Sequence, residues 1–166
     1  MDDPQSCETY LRLNVLQPMG IPDRNYIAFK SNDPNPAHEC ERVQRLIKQT
    51  GPIDLCILGI GMNGHIALNE PAEYLQPHCH VASLSPQALN HSMAKSMISK
   101  PTYGLTIGMA DILNSKLVLL IINDGRKAEI TREFMKQKIS TNLPASFLWL
   151  HPNIVCVCHQ DAYNSE

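Results

Sequence analysis

Residues 54–71 read DLCILGIGMNGHIALNEP, and the side chains there that can do chemistry are Asn63, His65, Asn69 and Glu70. A histidine beside a carboxylate is general acid/base equipment near neutral pH, because imidazole titrates there and the carboxylate selects one tautomer and raises its basicity. His65 and Glu70 stand five positions apart. That is poor spacing for one helix face, so they converge only if the chain bends between them. Gly59, Gly61 and Gly64 make a bend available, since glycine tolerates positive φ and close backbone approach. A glycine turn that opens onto a helix N-terminus also leaves N–H groups to meet an anion, which makes Gly61 and Gly64 candidate phosphate-binding positions. The blander alternative, a strand-to-helix turn with a solvated His and Glu, fits the same spacing.

The apolar run Leu55–Leu58 ahead of the glycines reads as a buried strand, and open α/β sheets carry their ligand sites at the carboxyl ends of such strands. Upstream, a helix is predicted from about Gln5 to Val15, broken by Pro18–Pro22, with a short strand at Tyr26–Phe29 and a loop from Asn32 to Pro36. Ala37–Thr50 reads as an amphipathic helix with Cys40, Val43, Leu46 and Ile47 on one side, stopped by Gly51-Pro52. Downstream come a strand at Val81–Leu84, a helix at Pro86–Met97, a strand at Gly104–Ile107 and a short helix at Met109–Leu113. A strand at Leu117–Ile122, a helix at Lys127–Gln137 and a last strand at Ile154–Cys158 follow. Strands alternating with helices predict a single α/β domain over residues 1–166, with a mostly parallel open sheet and helices on both faces.

Composition narrows the function classes. The 166 residues are 43% hydrophobic and 18% charged with a formal net charge of −2, as in soluble globular proteins. No global basic field exists to attract nucleic acid or an anionic membrane, so phosphate recognition has to be local. No apolar run is long enough for a bilayer and no signal core opens the chain, which predicts a cytoplasmic protein. The six cysteines are scattered and read as reduced thiols. His78-Cys79-His80 and Cys156-Val157-Cys158-His159 hold zinc-ligand residue types, but neither has the spacers of a structural zinc site, and no metal ligand is assigned. Lys127 follows Asn123-Asp124-Gly125 at the end of an apolar strand. There its ammonium and the turn amides could meet a phosphate together, although a lysine in this position is commonly just solvated.

GIGMNGHIALNEP resembles the signature of the glucosamine-6-phosphate deaminase and isomerase family, Gly-x-Gly-x-Asp-Gly-His-x-x-x-Asn-Glu-Pro. The sugar-phosphate lactonases of the same superfamily share Gly-His but lack Asn-Glu-Pro, so Asn69-Glu70-Pro71 favours the deaminase branch. Thr102–Gly108, Leu117–Ala128 and Pro144–Leu148 with Leu150-His151-Pro152 are similar to later family segments, and the likeness runs from about Asp3 to Ala162. Pro144–His151 and the Met62-Asn63 pair look closest to the galactosamine-6-phosphate subgroup. The resemblance implies a Rossmann-like fold and catalytic roles for His65, Glu70 and Asn63. It also implies substrate or phosphate contact by Gly61, Gly64 and Lys127, an amino-sugar phosphate as the small-molecule partner, homo-oligomerisation, and no metal or organic cofactor.

The implied chemistry is opening of the pyranose by His65, oriented by Glu70 and Asn63, before an aspartate base moves the C2 proton towards C1 and ammonia leaves. Two departures stand out. Asn63 replaces the family's usual Asp, and an amide orients but cannot stabilise an imidazolium by charge. Family members also begin with a strand, a phosphate loop and the Asp-containing segment that supplies the C2 base. Here the chain starts at Met1-Asp2-Asp3-Pro4, and the family's phosphate-gripping Arg falls near Met93–Lys95, where only Lys95 is cationic. The expectation is therefore a fold incomplete at its N-terminus, with uncovered sheet edges and apolar helix faces. A lactonase of the same fold and a non-catalytic remnant are the alternatives.

Overall fold

The computed structural model describes residues 6–85, 89 and 101–164. Its centre is a three-stranded parallel sheet: β1 (Leu55–Gly59), then β4 (Leu117–Ile122), then β5 (Ile154–Cys158). β4, reading LVLLII, has no polar side chain and takes the middle, where both its edges are paired. Register is in step along the sheet, with Gly59 opposite Ile121 and Ile121 opposite Val157. The three carboxyl ends therefore emerge along one edge, the edge that the β1 glycines leave.

Side chains of a strand alternate between faces, and the two faces of this sheet meet different surroundings. Cys56, Leu58, Val118, Leu120 and Ile122 point into the core, beside Ile60, Ile66, Ile112, Phe134, Ala145, Leu148 and Ala162. That core is capped by α3 (Met109–Leu113), α4 (Ala128–Met135), a 3-10 segment Pro144–Leu150 and α5 (Gln160–Asn164). Phe134 stacks on Trp149 with ring centroids 5.2 Å apart, and the Trp149 indole N–H donates to Phe134 O at 2.8 Å. Each fully buried aliphatic or aromatic side chain there contributes about 1.5–3 kcal/mol. On the opposite face Leu55, Ile57, Leu117, Ile121, Val155 and Val157 are 36–61% exposed. The α/β class and the parallel strands follow the sequence reading, while helical cover in the described residues lies on the even-numbered face.

A second sheet pairs β2 (His80–Ser83) with β3 (Tyr103–Thr106) antiparallel, His80 opposite Thr106. These two strands stand apart from the parallel sheet rather than extending it. α2 (Pro36–Thr50) packs on them, capped by the Asn35 side chain and ended by Gly51 at φ +95°. The predicted strand at Tyr26–Phe29 is extended chain without a strand partner. Its polar backbone is claimed by α2 instead: Glu39 accepts from Lys30 N at 2.7 Å, and Arg42 donates to Ala28 O at 2.7 Å while bridging both Glu39 oxygens. The first predicted helix is present from Cys7, α1 (Cys7–Leu11) passing without a break into a π-helical stretch over Arg12–Leu16. α5 was not expected, because QDAYN offers a single apolar anchor, the fully buried Ala162. The predicted helix Pro86–Met97 lies outside the described residues. Among those described, no helix is long and apolar enough to cross a membrane.

Glu39 is only 1% exposed, and the Arg42 guanidinium holds its carboxyl below the ordinary value of 4.5. A depressed carboxyl stabilises the fold above its unfolded value and loses that contribution as pH falls through the lowered folded value. Glu39→Ala is thus expected to cost about 2–3 kcal/mol at pH 7 in urea unfolding, with the deficit shrinking below pH 4.5. An equal deficit at both pH values would show that packing, not the ion pair, is what the substitution removes.

Candidate active site

β1 ends at Gly59, and the chain folds back on itself over the next ten residues. Ile60 bridges Ile66, and Ile66 bridges Asn69. Between them Gly61 N donates to His65 O and Gly64 N to Gly61 O, both at 2.9 Å, with Gly64 at φ +84°. Ala67, at φ +51°, turns the chain a second time. These two reversals supply the bend that the His65–Glu70 spacing requires. The segment after the glycines is irregular, not helical, and both glycine N–H groups are engaged inside the turn. Gly61 and Gly64 thus shape the site through space rather than by offering free amides to an anion, contrary to the expectation of a helix N-terminus.

The spatial demand on each glycine is specific. A Cβ on Gly61 would lie 2.4–2.5 Å from three atoms of the His65 ring, so the imidazole rests flat on that backbone. A Cβ on Gly64 would come within 2.3 Å of Leu143 Cδ1. Leu143 leads into the Pro144–Leu150 segment, which is tied to the turn where Ala145 N donates to Gly64 O at 2.9 Å.

His65 Nδ1 and Glu70 Oε1 are 3.3 Å apart, and Asn63 Nδ2 donates to Glu70 Oε2 at 2.6 Å. Asn63 Oδ1 accepts from the His65 backbone N at 3.3 Å. The amide therefore grips the carboxylate and the histidine main chain, not the imidazole. Its donor face suits an ionised Glu70, where an aspartate would set like charges together. The His65 ring thus turns its Nδ1 to the carboxylate. Both side chains keep some solvent contact, 22% for His65 and 13% for Glu70.

Sequence spacing did not reveal what holds Glu70 in place. Asn69 is buried, and its Nδ2 donates to Ile66 O and to Ile107 O, each at 3.0 Å. Thr106 Oγ1 accepts from Leu68 N at 3.2 Å and donates to Ile107 O at 3.1 Å. The end of β3 thereby clamps residues 66–69 from the side. A buried Asn within a glycine-rich loop is the available signal, but one of its two partners, Ile107, is 38 positions away. Lys127, half-buried, follows β4 on the same sheet edge, at the close of a 3-10 turn in which Arg126 N donates to the Asp124 side chain. Met93–Lys95, the other phosphate position considered, lies outside the described residues. Among those described, His, Cys, Asp and Glu form no group of three placed to hold a metal ion.

The two glycines are expected to respond differently to alanine. Gly61→Ala displaces the end of a flexible, partly exposed side chain. It should change stability by less than about 1 kcal/mol while moving the His65 ring-proton NMR signals. Gly64→Ala meets a packed leucine at a positive φ and should cost about 2 kcal/mol or more. Unmoved His65 signals in Gly61→Ala would contradict the ring's placement on that glycine.

The sequence profile of the glucosamine-6-phosphate isomerases/6-phosphogluconolactonases matches residues 1–156. A provisionally named deaminase of Escherichia coli K12, AgaI, is 46% identical over 93% of this chain and 61% of its own length. Glucosamine-6-phosphate deaminase of Geobacillus sp. WCH70 is 35% identical over 97% of this chain and 65% of its own. The chain thus spans less than two thirds of the length of these relatives. The solved structure of a monomeric glucosamine-6-phosphate deaminase superposes with a TM-score of 0.91 at 33% identity, over 97% of this chain and 68% of that one. A 6-phosphogluconolactonase of Leishmania guyanensis, at TM-score 0.66 and 15% identity, shares the fold. With the profile spanning nearly every residue and the glycine turn, His65 and Glu70 standing at the end of β1, the chain belongs to the glucosamine-6-phosphate isomerase/6-phosphogluconolactonase family.

Proposed function

We propose that this chain carries the ring-opening centre of an amino-sugar-phosphate deaminase/isomerase, acting on galactosamine 6-phosphate or glucosamine 6-phosphate. The observation that carries the reading is the constellation of His65 on Gly61, Glu70 at 3.3 Å from Nδ1, and Asn63 bonded to Glu70. In the cyclic sugar, His65 Nε2 takes the proton of the anomeric hydroxyl. The C1–O5 bond then breaks, C1 becomes a carbonyl, and the same proton passes to O5. Glu70 keeps Nδ1–H oriented and stabilises the imidazolium formed in between, while Asn63 keeps Glu70 aimed by donating to its second oxygen. Lys127, at the head of α4 on the same edge, is assigned to the 6-phosphate. The later C2 proton transfer requires another base than these three residues.

The finer choice between sugars leans towards galactosamine 6-phosphate. The Pro144–Leu150 segment, which carries the subgroup likeness, abuts Gly64 and so borders the reacting centre.

Ring opening exchanges α and β anomers, so magnetisation-transfer NMR of each amino-sugar phosphate reads this step without requiring deamination. The folded chain is expected to speed anomer exchange above the buffer rate, with His65→Ala reducing the acceleration by about 10²-fold or more and Glu70→Gln by a smaller factor. Exchange at the buffer rate with a folded chain overturns the assignment. Hydrolysis of 6-phosphogluconolactone, with anomer exchange unaffected, would move the reading to a lactone hydrolase.

A further inference from the structure

Ala67 holds a left-handed backbone, at φ +51°, which a residue with a Cβ resists. It is the second residue of a four-residue turn closed where Asn69 N donates to Ile66 O at 3.0 Å, and glycine is the usual occupant of a turn position with positive φ. Such a conformation persists where its surroundings over-determine it. β3 holds the next residue, Leu68, in two ways. The Leu68 amide donates to Thr106 Oγ1 at 3.2 Å, and its side chain lies on Gly104, where an added Cβ would come within 2.2 Å of Leu68 Cδ1. Asn69 gives its Nδ2 to Ile66 O and Ile107 O, and the Thr106 hydroxyl proton goes to the same Ile107 O at 3.1 Å. The corner beyond is fixed in turn. Gly108 N donates to Asp111 Oδ2 at 3.0 Å, Gln44 Nε2 of α2 donates to Asp111 Oδ1 at 2.8 Å, and a Cβ on Gly108 would meet the Pro77–His78 backbone at 2.4 Å. The strained turn is thus anchored through β3 to α2.

We infer that Thr106 is a positioning residue for the His65–Glu70 pair, holding Ala67 in its left-handed conformation by way of Leu68. The inference rests on the reading of that pair as the ring-opening centre. Thr106 is 3% exposed and its hydroxyl is engaged with main-chain groups on both sides, so it acts through the turn rather than on the sugar. Without the hydroxyl, Leu68 N loses its acceptor and Ala67 is free to relax to negative φ. Glu70 follows this turn directly, so a rotation at Ala67 carries its carboxyl away from His65 Nδ1, from which it now stands 3.3 Å. Asn63 grips the other Glu70 oxygen but belongs to the glycine turn, and it cannot restore the position of residues 67–69.

The test compares Thr106→Val, which removes the hydroxyl, with Thr106→Ser, which keeps it. One readout is the tautomer of His65 from its ring ¹⁵N shifts, and the other is anomer exchange of the amino-sugar phosphates. Thr106→Val is expected to lose the preference for the Nδ1–H tautomer and to slow exchange about tenfold or more, in kcat rather than KM, while Thr106→Ser keeps both near the parent values. Adding Ala67→Gly to Thr106→Val removes the reason for the turn to relax and should return part of the tautomer preference, which also covers a valine variant too unstable to measure alone. An unchanged tautomer in Thr106→Val overturns the inference. So does an equal loss in Thr106→Ser, which would assign the effect to packing, or the absence of any return with Ala67→Gly. The tautomer readout needs no turnover, so a parent chain silent in anomer exchange whose tautomer still responds to Thr106→Val counts against the proposed reaction and for the positioning role.

Discussion

The parallel pairing of β1 with β4 is the constraint on which the site rests. It places Gly59 level with Ile121, so the loop that follows each strand leaves the sheet on one side and at one height. The pairing is held by the apolar even-numbered face, where Leu58, Leu120 and Ile122 meet α3, α4 and the Pro144–Leu150 segment. Burial of that face fixes register, because a slip by one residue would expose the whole set. Once register is set, the glycine turn has a single direction in which to run. Lys127 and the turn then share an edge even though they are more than fifty positions apart in sequence.

Within the loop, steric and polar constraints act together. Gly61 provides a flat platform for the imidazole, and Gly64 provides both a positive φ and room for Leu143. Asn69 and Thr106 bind residues 66–69 to the end of β3, so Glu70 approaches His65 from a fixed side. A pair of side chains held this way loses little further entropy on being ordered. Asn63 completes the arrangement with a neutral donor. One carboxyl group therefore stands beside His65, oriented by an amide, where an Asp at position 63 would bring two.

The two halves of the structure differ in how complete they are. The even-numbered face of the parallel sheet is closed by helices and aromatic stacking, whereas the odd-numbered face ends in exposed Leu, Ile and Val. The buried Glu39–Arg42 pair shows a different solution for chain that lacks a strand partner: side-chain oxygens and guanidinium protons take up the backbone groups of residues 28–30. Among the described residues no such polar group takes the odd-numbered face, whose exposed side chains are Leu, Ile and Val.

Much of this was legible from residue order alone. β4 and β5 and the short helix at Met109–Leu113 have the bounds that periodicity predicted, since continuous apolar runs flanked by turn residues leave little choice. The His65–Glu70 pair and its need for a bend were also readable, because glycine spacing and side-chain chemistry are local properties. The strand predicted at Tyr26–Phe29 failed because local propensity carries no information about whether a partner edge is within reach. The segregation of β2 and β3 into an antiparallel pair, the Asn69 clamp on Ile107, and the role of Asn63 as holder of Glu70 were likewise invisible. Sequence by itself determined which residues could do acid/base chemistry and which runs had to be buried. Tertiary structure alone decided which faces found cover and which side chains met, because those depend on contacts between segments that only the packed core brings together.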